Sequence, residues 1–292
     1  MSENINHKQI HWFPGHMMKT LRVMQDSVRQ VDAVLILLDA RIPHSSLNPE
    51  IERIARAKPR LYVLNKADLA DAQITARWTR HFRAQGSGCV AITSKDRSGV
   101  NSVKKAIGAE LTELLARRAD KGMAGAKIRL MVTGIPNVGK STFINSFTGA
   151  ARAAAANRPG VTRGKQWVSA GEYELLDMPG VLWKKFESET VASNLAFIGS
   201  IRDDILDIET LAMRLLAELQ ALCPQKLAER YRVSEEELAL DAYELLEAIG
   251  RRRGMMMSGG VVNTERAAVM LVDEFRASKL GRISLEAPEE DV

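Results

Sequence analysis

Residues 134–141 read GIPNVGKS, and the apolar stretch IRLMVTG at 128–134 runs straight into them. Gly134, Gly139, Lys140 and Ser141 fill the fixed positions of G-x-x-x-x-G-K-[ST], in the strand–loop–helix setting that such a loop needs. The two glycines let backbone N–H groups of Asn137, Val138 and Gly139 converge on phosphate oxygens, and the helix expected over 140–148 adds the partial positive charge of its N-terminus. Lys140 is placed to reach the β- and γ-phosphates, Ser141 to offer its hydroxyl to Mg²⁺, and Thr142 to add a phosphate contact.

A second motif lies upstream. LYVLNKAD at 61–68 is a buried-strand pattern ending in N-K-x-D, at the strand edge where open α/β sheets bind ligands. The Asp68 carboxylate can accept both N1–H and N2–H of guanine, whereas adenine would leave it unpaired; discrimination of about 10⁴ is within reach of such a site. Asn65 is expected to touch the base edge or tie to the phosphate loop, and the Lys66 stem, followed by Ala67, to cover the base plane. TSKDRSG (93–99) follows another strand and offers Thr93, Ser94 and Lys95 to guanine O6. DMPG (177–180) reads as a D-x-x-G switch, with Asp177 facing Mg²⁺ through water and the Gly180 N–H facing the γ-phosphate. Thr162 of PGVTRG (159–164) supplies the second Mg²⁺ hydroxyl.

All parts of a GTP site are therefore present, but the guanine motif precedes the phosphate loop instead of following it. A parallel sheet does not depend on where its chain begins, provided the original ends lie close enough to join. ADKGMAGAK (119–127), small and polar, is the expected junction. The fold expected is a circularly permuted P-loop GTPase domain, a mostly parallel sheet with helices on both faces, followed by an all-helical C-terminal domain.

The rest of the pattern agrees with that plan. AVLILLDA (33–40) and CVAIT (89–93) read as buried strands, and helices are expected over 17–31, 47–57, 71–84 and 99–118. QWVSAG and EYELLDMPG form a hairpin pattern. From about residue 190 LAMRLLAELQALC, SEEELALDAYELLEAIG and TERAAVMLVDEFRASK are helical in period. The expected division is 1–188, with an N-terminal extension over 1–30, and 189–292, whose end EAPEEDV has the composition of a disordered tail. The second switch feeds directly into the helical domain, so loss of the γ-phosphate has a mechanical route to it.

Composition sets the outer bounds. The 292 residues are 46% hydrophobic and 26% charged, a soluble globular balance. AVLILL is far short of the roughly 20 residues of a membrane span, and MSENINHKQIHWF lacks the apolar core of a secretory signal. Cys89 and Cys223 form no framework, which suits a reducing cytoplasm. The net charge is +5, and no Asp or Glu occurs from Lys121 to Gly171, a stretch carrying eight Lys and Arg. Such a run attracts phosphate, on a nucleotide or along RNA. His7, His11, His44 and His81 lack metal-ligand spacing and read as surface residues. MMM (255–257) reads as core, and RRR (251–253) either complements a helix end or binds phosphate.

HWFPGHMMK, DARIP (39–43), NKADL, GIPNVGKST, PGVTRGKQW, LLDMPGVLW and DEFRASKLGRISLE together closely resemble the ribosome biogenesis GTPase A family, over about residues 10–286. That resemblance implies a permuted GTPase of late large-subunit assembly, stimulated by the ribosomal particle, with the C-terminal helices as an RNA-binding module. It implies a large-subunit precursor and its rRNA as partners, and Mg²⁺ as cofactor. Neither membrane nor DNA is expected as a partner, and the chain is expected to be monomeric. Val181 stands where many small GTPases carry a water-orienting Gln, and the resemblance points to His16 of FPGH as the substitute. The alternative for His16 is a turn in which it caps the next helix. Asn137 resembles the asparagine that holds K⁺ in potassium-activated GTPases, the alternative being a loop hydrogen bond. The chain departs from the family at Lys184, commonly Pro, and in RRRGMMMSGGVVN. Two other readings stay open: a GTP-gated RNA-binding module with negligible turnover, and a permuted GTPase serving the small subunit or tRNA.

Overall fold

A computed structural model describes residues 15–123, 125–149 and 165–289. The chain opens with α1 (Gly15–Ser27) and a short 3₁₀ turn, then enters β1 (Ala33–Asp39), every residue of which is buried. α2 (Pro49–Ala55), β2 (Arg60–Asn65), α3 (Ala72–Ala84), β3 (Gly88–Ala91), α4 (Arg97–Glu110) and α5 (Thr112–Asp120) follow. Next come β4 (Ile128–Gly134), α6 (Lys140–Thr148), β5 (Gln166–Ala170) and β6 (Tyr173–Asp177). The helical region holds α7 (Glu189–Phe197), α8 (Ile208–Leu222), α9 (Pro224–Tyr231), α10 (Glu235–Leu238), α11 (Ala242–Arg252) and α12 (Thr264–Arg276).

The six strands form one sheet in the order β3-β2-β1-β4-β6-β5, parallel throughout except for the β5–β6 hairpin. From β1 the chain works outward to the β3 edge, returns through α4 and α5, and resumes at β4 on the other side of β1. Asp32 clamps this junction: its carboxylate accepts from Arg118 of α5 at 2.6 Å and from the Arg129 N–H of β4 at 2.8 Å. β1 and β4, adjacent but leading to opposite halves of the sheet, make the topological switch point where open α/β sheets bind ligands.

Side-chain alternation gives each sheet face its own core. Val34, Ile36 and Leu38 join Tyr62 and Leu64 under Leu21 and Met24 of α1, Val28 of the 3₁₀ turn, and Trp78 and Phe82 of α3. Leu35, Leu37, Val63 and Val132 face the other way, into one apolar cluster that runs through α4 and α6 to Leu215, Leu246 and Leu271 of the helical region. Burying each such side chain contributes about 1.5–3 kcal/mol, so the helical region is joined to the sheet by its own core residues.

Several expectations need correction. The helix expected over 17–31 ends at Ser27; a 3₁₀ turn follows over Val28–Gln30, and Val31 is already extended. The one expected over 99–118 breaks at Leu111, where ψ is 11°. SEEELALDAYELLEAIG also divides, into α10 with a Ser234–Glu237 capping box and α11 capped by Asp241; these caps stop one helix and start the next although the apolar spacing carries through. Met256 and Met257 are exposed instead of forming core. His44 is exposed, but His81 is half-buried with its ring edge-on to Trp78.

The acidic tail is not loose where it is described. Glu286 accepts from the Ser45 N–H and from Asn194, the Glu286 carbonyl accepts from Trp78 at 3.1 Å, and Ile283 and Leu285 bond to Leu69 and Arg41. Charge composition alone missed this, because the partners come from four distant segments.

Candidate functional site

Strand register brings the inverted motifs together. Asp39 pairs with Asn65, and Leu37 with Gly134, so β1, β2 and β4 end in line. β1 alone separates β2 from β4, which puts the guanine motif and the phosphate loop roughly 10 Å apart at strand spacing. Ala91 lies beside Leu64, so Thr93–Lys95 emerge next to the guanine motif; Asp177 pairs with Val132, so the second switch emerges next to the phosphate loop. Asn65, Lys66, Asp68, Ser94, Lys140 and Asp177 thus occupy one sheet edge.

Asn65 ties the parts together. Its Nδ2 donates to the Val138 carbonyl at 2.8 Å, and its Oδ1 accepts from the Ser94 N–H and hydroxyl at 3.1 and 2.7 Å. Of its two expected roles, this is the tie to the phosphate loop. Asp68 is exposed, steadied by the Thr93 hydroxyl at 3.1 Å, and presents its carboxylate outward; Lys95 is exposed beside it. Ala67 donates its N–H to the Ile92 carbonyl, which fixes the turn between the two guanine loops.

The phosphate loop depends on glycine at particular points. Gly139 has φ +92°, and a Cβ there would lie 2.4 Å from Asn65 Nδ2; at Gly180 it would lie 2.9 Å from the Pro136 backbone. Gly139→Ala is therefore expected to weaken GDP binding about 10–100-fold, from roughly 1–3 kcal/mol of imposed strain; fluorescent-nucleotide titration measures it. Lys140 is buried and meets Asp177 Oδ1 at 2.5 Å. Ser141 and Thr142 open α6 half-buried. The Ser141 hydroxyl and Asp177 carboxylate are hard oxygen donors at the phosphate end, a set that suits Mg²⁺ better than softer metals. Thr162 lies outside the described residues, and so does the side chain of His16, which falls in the first turn of α1.

Lys66 sits at φ +59° and donates to the Asn137 carbonyl at 2.7 Å. It also pairs at 3.0 Å with Asp39, a wholly buried carboxylate that Arg41 grips bidentately at 2.9 and 2.8 Å. Burial raises the Asp39 pKa, but the Arg41 and Lys66 charges together outweigh it and hold the carboxyl well below the usual range. Burial lowers the Lys66 pKa, and Asp39 opposes that. Reading DARIP as sequence gave Asp39 and Arg41 no part in the site. The available signal was a carboxylate ending a strand buried on both faces, a position that demands a cation.

The helical region reaches the same loop. Asn137 Nδ2 donates to the Gly199 carbonyl at 2.6 Å, and the Ser200 hydroxyl to the Pro136 carbonyl at 2.7 Å. Arg276 donates to the Phe197 and Ala196 carbonyls, and its own carbonyl accepts from Arg41 at 3.5 Å. From the second-switch end, the Val181 carbonyl accepts from Asn48 at 3.0 Å. None of these contacts follows from periodicity, because each joins residues far apart in the chain.

A mostly parallel sheet with guanine and phosphate motifs in inverted chain order at one edge defines a circularly permuted P-loop GTPase. Residues 129–228 match the family model described as 50S ribosome-binding GTPase. The chain is 42% identical over 281 residues to ribosome biogenesis GTPase A of Bacillus pumilus, covering 96% of this chain and 99% of that one. With the Bacillus cereus protein of the same name the identity is 40%, covering 96% and 95%. The GDP-bound structure of YlqF superposes with a TM-score of 0.65 at 27% identity, covering 92% of this chain and all of that one. The chain belongs to the ribosome biogenesis GTPase A family and hydrolyses GTP. Among the described residues no helix is long and apolar enough to cross a membrane.

Proposed function

We propose that this GTPase acts in late maturation of the large ribosomal subunit in the cytoplasm, as a monomer whose turnover the ribosomal particle stimulates. Residues 1–188 form its GTP unit, and 189–292 the unit that meets a large-subunit precursor and its rRNA. The observation that carries the reading is the meeting of the two halves of a GTP site at one sheet edge, in a chain of this family, with Gly199 and Ser200 of the helical region hydrogen-bonded to the phosphate loop.

Asp68 reads guanine, Lys140 moves from Asp177 to the phosphates, and Gly180 offers its N–H to the γ-phosphate. Ser141, Thr162 and Asp177 would hold Mg²⁺, which neutralises charge developing on the phosphate oxygens. Val181 cannot orient water, so His16 supplies the imidazole when the N-terminal segment docks on the particle. Asn137 spends its Nδ2 on Gly199 and retains Oδ1 as a ligand for K⁺.

With a non-hydrolysable GTP analogue at stated salt, the chain should pellet with large but not small subunits. Addition of large subunits should raise turnover in potassium more than in sodium, and His16→Ala should abolish the stimulation while leaving nucleotide affinity intact. Pelleting with small subunits alone would refute the partner; full stimulation of His16→Ala, or equal rates in the two salts, would refute the corresponding role.

A further inference from the structure

A concave surface of about 610 Å³ lies in the helical region, away from the residues that form the nucleotide site. Its cations come from three separated segments. Lys226, Arg230 and Arg232 belong to α9 and its end, where Arg232 turns the chain at φ +58°. Arg252 and Arg253 end α11, and Lys279 lies in the turn after α12 that Ser278 and Gly281 close at positive φ. No linear sequence motif contains them all.

Four of the six cations are held in place from behind. Arg230 pairs with Glu274 through Nε at 2.9 Å, and Arg253 approaches the same carboxylate at 3.7 Å, donates to the Arg230 carbonyl and lies over the Tyr231 ring. Arg252 pairs with Glu237 at 2.6 Å, and Lys226 donates to the Arg282 carbonyl. The Arg230 pair holds Glu274 below its ordinary pKa, so the acid stays ionised and the guanidinium stays in place. Six cations thus meet three carboxylates, Glu229, Glu237 and Glu274. Arg232 and Lys279 are exposed and have no ion pair among the described residues.

The rest of the lining narrows the ligand. Leu280 is the one large apolar side chain in it, and Arg253 already covers the neighbouring Tyr231 ring. Among the described residues that line it, none offers an aromatic face on which a base could stack. Preorganised cations without a stacking platform suit spaced phosphates, not a nucleobase or an apolar ligand.

We propose that this surface is a binding site for the phosphodiester backbone of an RNA strand, read without regard to base. Arg232 and Lys279 are its two direct phosphate contacts, and the paired arginines shape the floor. The proposal rests on the ribosomal reading above and gives it a location.

The test uses the full chain and a fluorescein-labelled single-stranded RNA of mixed sequence, titrated by anisotropy from low to moderate salt. The double charge reversal Arg232→Glu with Lys279→Glu should weaken binding at least about 10-fold and reduce the log–log salt slope by roughly 1.4, about 0.7 for each lost phosphate contact on a single strand. GDP affinity should not change, and Arg232→Lys with Lys279→Arg should bind as the parent chain does. Unchanged affinity and slope in the reversed variant would overturn the site. So would complete displacement of the RNA by millimolar inorganic phosphate, which would mark a small-anion pocket. If the parent chain pellets with large subunits while the reversal leaves RNA binding intact, this site fails and the ribosomal reading stands. If the parent chain does not pellet, that reading fails on its own result.

Discussion

Asp39→Ala is expected to lower the stability of the chain by about 3–5 kcal/mol, because it leaves the buried Arg41 charge and the half-buried Lys66 charge without their shared partner. Arg41 is among the most deeply buried side chains, and Asp39 is fully enclosed. Neither can turn to water when the other is lost. Urea unfolding with and without GDP measures the effect. A loss below about 1 kcal/mol would mean that the cluster is not held as described. The same substitution should also weaken GDP binding, since Lys66, whose stem is proposed to cover the base, would lose one of the two contacts that hold its ammonium group.

The pH dependence of that contribution has a fixed sign. The folded-state pKa of Asp39 lies below the value near 3.9 of an unfolded carboxyl. The stabilisation is therefore fully present above about pH 4 and is lost only as pH falls through the lower folded value. Asp39→Asn should flatten the acid limb of the stability curve relative to the parent chain.

Asp68→Asn carries the second large effect. In the proposed site the exposed carboxylate would accept two hydrogen bonds from guanine, whereas an amide could accept only one while setting an N–H against the 2-amino group. GTP affinity should fall by roughly 10²–10⁴, the range expected when a site built on paired polar groups is mismatched. Xanthine carries a carbonyl in place of that amino group, so the variant should bind xanthosine triphosphate more tightly than GTP. Competition against a fluorescent GDP would expose an unchanged preference, and with it an error in placing the base.

Much of the fold was legible because the chain separates its signals. AVLILL, LYVL and LMV are apolar runs, as the centres of strands buried on both faces must be, and each leads to a polar loop that carries chemistry. The permutation followed from motif order alone. Helix breaks were less legible: Leu111 has no glycine or proline to mark it, and the Asp241 cap sits inside an unbroken apolar period. What periodicity could not supply were contacts set by register and tertiary approach. Asp39 meets Lys66 because Asp39 stands opposite Asn65 in the sheet. Asn137 meets Gly199, and Glu286 meets Ser45, because the helical region folds back on the sheet. A local reading gives each of these residues the bland role of loop or tail.

If the fold is as described, segments in inverted chain order hold one nucleotide between them. A crystal structure of the chain with Mg²⁺ and a non-hydrolysable GTP analogue tests it most directly. Guanine N1 and N2 should lie on the Asp68 carboxylate and the β- and γ-phosphates on Lys140, with the Asn65 side chain still bonded to Val138 between them. A nucleotide whose base lies away from Asp68 while its phosphates occupy the 134–141 loop would contradict that arrangement.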